Sequence, residues 1–485
     1  MNIVTLFENL LNEITKAEKN FYSDLKDFAS LEQSVKDSAQ SFAAQYLSLV
    51  LNNLNEYIKK DSSRKENYSV QRNDQRTLIT SVGDVVFNNT YYKSKEKDYG
   101  NKYCYILEEM IGLSAHERFS ECAETELIKS SIKNSYSEAV NVLPTESEIT
   151  KTSVMNKVHN LCDYIPETDE NKEHEKKKCK YLYIDADEDH VSEQHGRWNI
   201  DNSKFLSKLI YLYETKEKDK TCKNRRKLVE TVYFSGVYEG TKNNSKLWNN
   251  VFEYINKHYD YNYIDTVYII GDGAGWIKSG CEHIPKSKFC FDKFHLVKYI
   301  NSAANQMLDE NEFAKKKIYK YLYTRKKKSL IEYIKSMESC ANNQDPIINL
   351  RKVIERNWAP IMRTLHDKRV MGCSAEGHVS HMLSDRLSSR PRAWSKTGAD
   401  RISKLRCYDK NHGSEKIIDL VKYSRRQRQL ERTGTDDIDV DKTKIYDLVL
   451  DKKSDGKEYI DKLQATIPGH TSSKSFAIKE QIKLI

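Results

Sequence analysis

A mostly helical α+β chain of several domains is what this 485-residue sequence predicts, and three observations predict it. Helix-period runs occupy both flanks, and the helix breakers Gly and Pro number only 17 and 7. Between the flanks, strand-like runs begin at Tyr181: YLYI (181–184), KLIYLYETK (208–216) and KLVETVYFSGVYEG (227–240), then helical SKLWNNVFEYINKHY, then DTVYIIGDGAGWIKSG from Asp265. Three strands, a helix and a fourth strand match the first half of a ribonuclease H-like mixed β-sheet. A large all-helical insertion follows it, and a helical region suited to DNA precedes it.

From Phe28 through Leu31, Val35, Phe42, Tyr46, Leu49, Leu54 and Tyr57, apolar residues recur at three- and four-residue steps. That spacing predicts one long amphipathic helix in an N-terminal region, 1–75, with a second copy of the chain as a candidate packing partner. Next, TLITSVGDVVFNNTYYKS (77–94) alternates β-branched and aromatic residues about turn formers, which predicts a β-hairpin. SYSEAVNVLPTESEITKTSVMNKVH (135–159) reads as two short helices about Pro144. In a helix-turn-helix the second helix, N-capped by Thr150, would bring Lys151, Ser153, Asn156 and Lys157 to a major groove. Hairpin and helix pair form a second region, 76–175, closed by the charged linker PETDENKEHEKKKCK.

The core's first part spans 176–300. In a ribonuclease H-like sheet the first and fourth strands are neighbours, so Asp185 and Asp272, 87 positions apart, would meet across one gap. Asp185, Asp187, Glu188 and Asp189 crowd five positions, and like charges that close need a cation or water. SKFCFDKFHLVKYI (287–300) supplies a fifth strand and a helix start, and the insertion, 301–372, centres on KKKIYKYLYTRKKK with Arg325, Lys326 and Lys327. A two-metal phosphoryl-transfer site wants a third carboxylate. Glu376, in a helix capped by Ser374 within the core's last part, 373–410, is the candidate. Arg386, Arg390, Arg392, Lys396, Arg401, Lys404 and Arg406 follow it as a phosphate-neutralising stretch, before a C-terminal region, 411–485.

Composition bounds the function. Lys plus Arg exceed Asp plus Glu by 80 to 71, the ten cysteines contain no C-x-x-C pair, and no apolar run approaches a membrane span. A reduced, cytoplasmic, membrane-free chain with a polyanionic partner is the expectation. His378 and His381 lack a second ligand pair and read as substrate or packing contacts, and Trp276 and Trp394 as core or base-stacking residues. Gly271, Gly273 and Gly275 fall one position short of a dinucleotide fingerprint.

Five blocks, TLITSVGDVVFNNTYY, YIDADEDHV, YIIGDGAGWIKSG, FCFDKFHLVKYIN and EGHVSHMLSDRLSSRPRAWS, resemble in the same order those of the ISLre-two family of insertion-sequence transposases. That family has long been filed as uncharacterised; Mutator-type transposases are more distant relatives, and all belong to the DDE superfamily. The resemblance implies Asp185, Asp272 and Glu376 as the catalytic, metal-holding acids, with Asp187 in reserve because it shares the strand face of Asp185. Asp292 and His295 match an auxiliary D-x-x-H element. It further implies two Mg2+ ions (Mn2+ substituting), cleavage at the ends of a mobile element, and attack of the freed 3'-hydroxyl on target DNA. Terminal inverted repeats, target DNA and a homodimer or larger assembly are the implied partners, in a bacterial cytoplasm near the nucleoid. Two alternatives stand beside it. One is a catalytically inactive, transposase-derived DNA-binding protein. The other is a haloacid-dehalogenase-type phosphatase with Asp185 as nucleophile, which Trp276 opposes by occupying the position of an expected carboxylate.

Overall fold

The computed structural model describes residues 3–95, 103–166, 175–195, 203–218, 226–390 and 392–433. Two compact units divide the chain: Met1–Ser131, Ser135–Lys157 and Ile418–Ile485 form one, and Ile132–Asn134 with Val158–Ile417 the other. Residues from 434 on, most of the expected C-terminal region, lie outside the described residues, as does Cys222. The nine described cysteines are free thiols, and no described helix is long and apolar enough to cross a membrane.

In the first unit the helix expected from Phe28 runs unbroken to Lys60, with Asp27 accepting from the Ser30 amide at its start. It lies antiparallel to a helix Ile3–Ser23, as the Phe7–Phe42 and Phe21–Phe28 ring contacts require. The hairpin is longer than its alternating segment suggested. Strand β1 (Tyr68–Thr80) pairs with β2 (Gly83–Ser94) about Ser81 and Val82, and β3 (Tyr103–Cys104) adds to β2. Asn52 and Asn55 of the long helix accept from the Asn88 and Thr90 amides, so polar side chains as well as Ile58, Val85 and Phe87 fasten helix to hairpin. The expected two-helix pair is lopsided: Tyr136–Ala139 is a single turn, while Lys151–Cys162 is a full helix begun by Thr150.

The second unit is built on a five-stranded sheet. Its strands are β4 (Tyr181–Ser192), β5 (Lys204–Tyr213), β8 (Val232–Gly236), β9 (Thr266–Gly271) and β10 (Ser287–Phe291). A separate ribbon pairs β6 (Thr215–Lys218) with β7 (Arg226–Val229), so the runs expected as single strands from Lys208 and Lys227 each divide in two. The sheet order is β10-β9-β4-β5-β8; β4 is parallel to β9 and antiparallel to β5. The first and fourth strands of the sheet are therefore neighbours, as the element order had suggested. One correction concerns β4 itself: it does not end at Ile184 but continues through all four acids to Ser192, because β5 pairs with it along that whole length.

Leu182, Ile184 and Ala186 on one face of β4 join a single core with Leu247, Trp248, Val251 and Ile255 of the helix Gly240–His258. The helix Lys293–Ala304 and three helices of the insertion, Asn311–Tyr323, Lys327–Cys340 and Asp345–His366, continue that core. Pro360 interrupts the last of these, and Asn357 takes non-helical angles there, since a proline ring displaces the preceding turn. The opposite face of the sheet is aromatic. Tyr183 stacks on Tyr213 and Tyr268, and residues 367–374 cover them: the Tyr183 hydroxyl donates to the Arg369 carbonyl and the Tyr268 hydroxyl to Asp367.

Candidate active site

Register places the acids. Asp185 of β4 is level with Ile270 of β9, so Asp187 and Asp272 lie two residues further along, where β9 has ended and β4 has not. Two glycines make that exit. A Cβ on Gly271 would meet the Ala186 carbonyl oxygen at 2.9 Å, and Gly273 has φ +95°, a conformation that side chains disfavour. Asp272 closes the turn by accepting from the Ala274 amide at 2.8 Å.

The β4 acids have four different fates. Asp185 is fully buried; it accepts from the Tyr211 hydroxyl at 2.6 Å, the Tyr213 hydroxyl at 3.2 Å and the Ser374 amide at 3.1 Å. Burial pushes its carboxyl up, against the pull of Lys216 and these donors. Glu188, on the other face, accepts from the Trp276 indole at 2.5 Å, which accounts for Trp276 as a wall residue. Asp189 is held by the Ser388 hydroxyl at 2.8 and 2.9 Å. Asp187 is half-buried, like Glu188, but among the described residues accepts only from the Glu188 amide. Burial, and then the Asp272 and Glu376 carboxylates, push it up to about 6, while the Glu188 amide and His295 pull the other way.

The structure thus draws Asp187, rather than Asp185, towards Asp272 and Glu376. An oxygen of Asp187, an oxygen of Glu376 and a ring nitrogen of His295 lie within 4.8 Å of one another. Asp292 caps the helix Lys293–Ala304 by accepting from the Phe294 amide, and its other oxygen meets His295 Nδ1 at 2.9 Å. That contact fixes the ring and leaves Nε2 free. The bonded Asp292, with Asp187 and Asp272 nearby, lifts the imidazole above its ordinary value despite burial. Two carboxylates and a carboxylate-oriented histidine in one cluster fit a divalent cation: the oxygens suit Mg2+ or Mn2+, and the imidazole favours Mn2+.

Glu376 sits in the first turn of the short helix Ala375–Val379. Ser374 precedes it but makes no side-chain cap, correcting that expectation; its hydroxyl contacts Tyr211 at 3.0 Å instead. Sequence reasoning missed Tyr211 and Asn357. The second is buried, its side-chain nitrogen faces Gly273, and its Oδ1 has no hydrogen-bond partner. No motif marks either residue. His378, for which the sequence leaves substrate and packing contacts both open, packs here: its ring lies 4.3 Å from that of Tyr211 and its Nδ1 is 3.0 Å from the Tyr233 hydroxyl.

Residues 23–424 match the uncharacterised protein family UPF0236. The chain belongs to that family. UPF0236 protein TTE2489 of Caldanaerobacter subterraneus subsp. tengcongensis is 33% identical over 424 residues, covering 86% of this chain and 87% of its own. A second protein of that organism, whose name joins eleven designations from TTE0033 to TTE2212, is 32% identical over 425 residues, 86% of each chain. The Drosophila P element transposase strand transfer complex is similar over 66% of this chain and 82% of that chain, at 9% identity and a TM-score of 0.21. A likeness that low carries no argument about function.

In this UPF0236 chain the basic residues expected at DNA divide sharply. Lys151, Asn156, Arg325, Lys326 and Arg390 are exposed, and Ser153, Lys327 and Arg392 partly so. Others already have partners within the chain. Lys157 pairs with Glu117 at 2.5 Å and Glu124 at 3.2 Å, and Arg386 is 1% exposed, its guanidinium over the Trp394 ring. Lys396 pairs with Glu239, Arg401 with Asp163 and Lys404 with Asp400.

Proposed function

We propose that this protein is a DDE-type DNA transposase, a metal-dependent enzyme that cleaves phosphodiester bonds at element ends and joins the freed strand to target DNA. The observation that carries the proposal is the cluster of Asp187, His295 and Glu376, from the first strand, the helix after the fifth and a helix beyond the helical insertion, with Asp272 near enough to push the Asp187 carboxyl up. On this reading the β10-β9-β4-β5-β8 sheet is a ribonuclease H-like core, and Asp187 takes the role that the family resemblance assigned to Asp185. Asp185 becomes an anchor that ties the Ser374 backbone, and so the start of the Glu376 helix, to the sheet.

A divalent ion at the three carboxylates would supply Lewis acidity, activating the attacking oxygen and offsetting charge on the leaving one. The chain's own residues do the rest. Asp187, Asp272 and Glu376 hold the cluster's negative charge in place. Asp292 keeps His295 turned so that Nε2 can meet a phosphate oxygen or share in cation binding. Pairing of two element ends would require a homodimer or larger assembly. The relative whose name joins eleven designations within one organism also supports the reading, since a gene copied many times produces such a name and a mobile element copies itself.

The test is cleavage of labelled element-end DNA with Mg2+ or Mn2+ by the intact protein and by Asp187→Asn, Asp272→Asn and Glu376→Gln. Metal-dependent nicking lost in all three, with DNA binding kept, is the expected result. Binding without cutting by the intact protein would favour an inactive DNA-binding descendant instead. The phosphatase alternative has little support, because its nucleophile would be Asp185, fully buried and held by three donors.

A further inference from the structure

The helix that carries Glu376 has a second side. Ser374, Gly377 and His378 line a cavity of about 730 Å³, within the range of roughly 300–1,000 Å³ common for ligand sites. A Cβ on Gly377 would meet nothing within 4 Å, so the wall beside Glu376 stands open. Five cationic side chains, Lys133, Lys216, Arg226, Arg406 and Lys410, line this cavity against one carboxylate, Asp409.

Their pairing is what distinguishes the place. Among the described residues Lys133, Arg226 and Lys410 are exposed and make no ion pair. Lys216 donates to the Gly372 carbonyl and the Ser374 hydroxyl and makes no ion pair among the described residues, although its charge reaches the buried Asp185. Arg406 donates to the carbonyls of Met382, Ile132 and His381, with Asp385 no nearer than 3.9 Å. A second cavity, of about 430 Å³, is also lined by basic residues, Lys396, Arg401 and Lys404, but each there has its own carboxylate: Glu239, Asp163 and Asp400. One basic cavity is neutralised from within, while the other keeps its charge for an incoming anion.

We propose that the cavity walled by Lys133, Lys216, Arg226 and Lys410 is a phosphate-binding site that holds the sugar-phosphate backbone of the DNA strand next to the bond being cut. The proposal rests on the transposase reading for its source of phosphate, since the cavity and the acid cluster share the Glu376 helix. Neutral partners on Lys216 and open water around Lys133, Arg226 and Lys410 let each cation exchange solvent and counterions for phosphate oxygens.

The test replaces charges that support nothing else. Lys133→Gln, Arg226→Gln and Lys410→Gln are combined in the full chain, with Lys396→Gln plus Lys404→Gln as the paired-cation control. Binding of labelled element-end DNA is then measured from 0.05 to 0.3 M salt. The triple variant should bind on the order of a hundredfold more weakly at 0.1 M salt, with a log–log salt slope shallower by about 2, whereas the control stays within about twofold. Lys410→Gln alone should cost about fivefold, which keeps the test open if the triple variant folds poorly. A triple variant that is folded, still cuts DNA and binds it with unchanged slope overturns the phosphate site and leaves the transposase reading standing. If the intact protein binds no DNA, the transposase reading fails and thermal shift with inorganic phosphate or AMP decides the site. Stabilisation of the intact chain but not of the triple variant keeps a phosphate site with a free ligand, and stabilisation of neither removes it.

Discussion

Asp185 and Asp187 are the same residue type on the same face of the same strand, two positions apart, and they live in opposite surroundings. Around Asp185 the sheet is closed: Tyr211, Tyr213 and the Ser374 amide consume its oxygens, and residues 367–374 seal the tyrosine face. Around Asp187 it is open, because β9 has ended and Glu376 and His295 converge there with Asp272 close enough to act on its charge. The candidate metal-binding groups gather where pairing with β9 stops, and the fully bonded carboxylate lies where it continues. A carboxylate whose oxygens are all satisfied anchors structure; one pushed up by burial and by neighbouring carboxylates can take a cation.

The largest effect should separate the two ends by activity. Asp187→Asn should lower metal-dependent DNA cleavage on the order of a thousandfold while leaving the melting temperature near that of the intact chain. Full cleavage by this variant, assayed on labelled element-end DNA, would dissolve the contrast.

Stability should separate them in the opposite sense. Asp185→Ala strands two buried hydroxyls and an amide, so urea denaturation should show a loss of roughly 2–4 kcal/mol, against little change for Asp187→Ala. Equal losses at both positions would mean that the strand's two ends are not different in kind.

Cation binding sharpens the open end. Mn2+ at about a hundred times its Kd should stabilise the intact chain by about 2.7 kcal/mol, read as a rise in melting temperature that is absent in Glu376→Gln. An equal rise in that variant would place the cation elsewhere.

The smallest effect belongs to the cover of the closed end. Hydrogen bonds from Arg369, then the Arg369 amide and the Tyr268 hydroxyl, hold the Asp367 carboxyl down at about 2 against burial. Its folded value is depressed, so its contribution is complete above the unfolded value of about 3.9 and is lost as pH falls through about 2. Because solvent screens the pair, the loss should stay below about 1 kcal/mol between pH 4 and 2 and should vanish in Asp367→Asn.

Much of this molecule could be read from local pattern. Three- and four-residue spacing foretold the helix Phe28–Lys60, and alternation foretold the β1–β2 hairpin. The order of strands and helix foretold that β4 and β9 would be neighbours. Strand ends were less legible: apolarity stops at Ile184, but the ladder to β5 carries the acids onward to Ser192.

The sequence by itself determined the candidate residues, since the acids from Asp185 to Asp189 directly follow an apolar strand signal, and the D-x-x-H spacing already put Asp292 one helical turn before His295. Only the tertiary structure decided which acid stays open. That choice depends on where β9 ends against β4 and on what Tyr211, Tyr213 and Ser374 reach. It also decided which basic residues keep their charge available. Lys396 and Lys133 look alike in a composition, but one meets a carboxylate across the fold and the other makes no ion pair among the described residues. A charge's availability is set by distance to its counter-charge, and distance between remote residues exists only once the chain has folded.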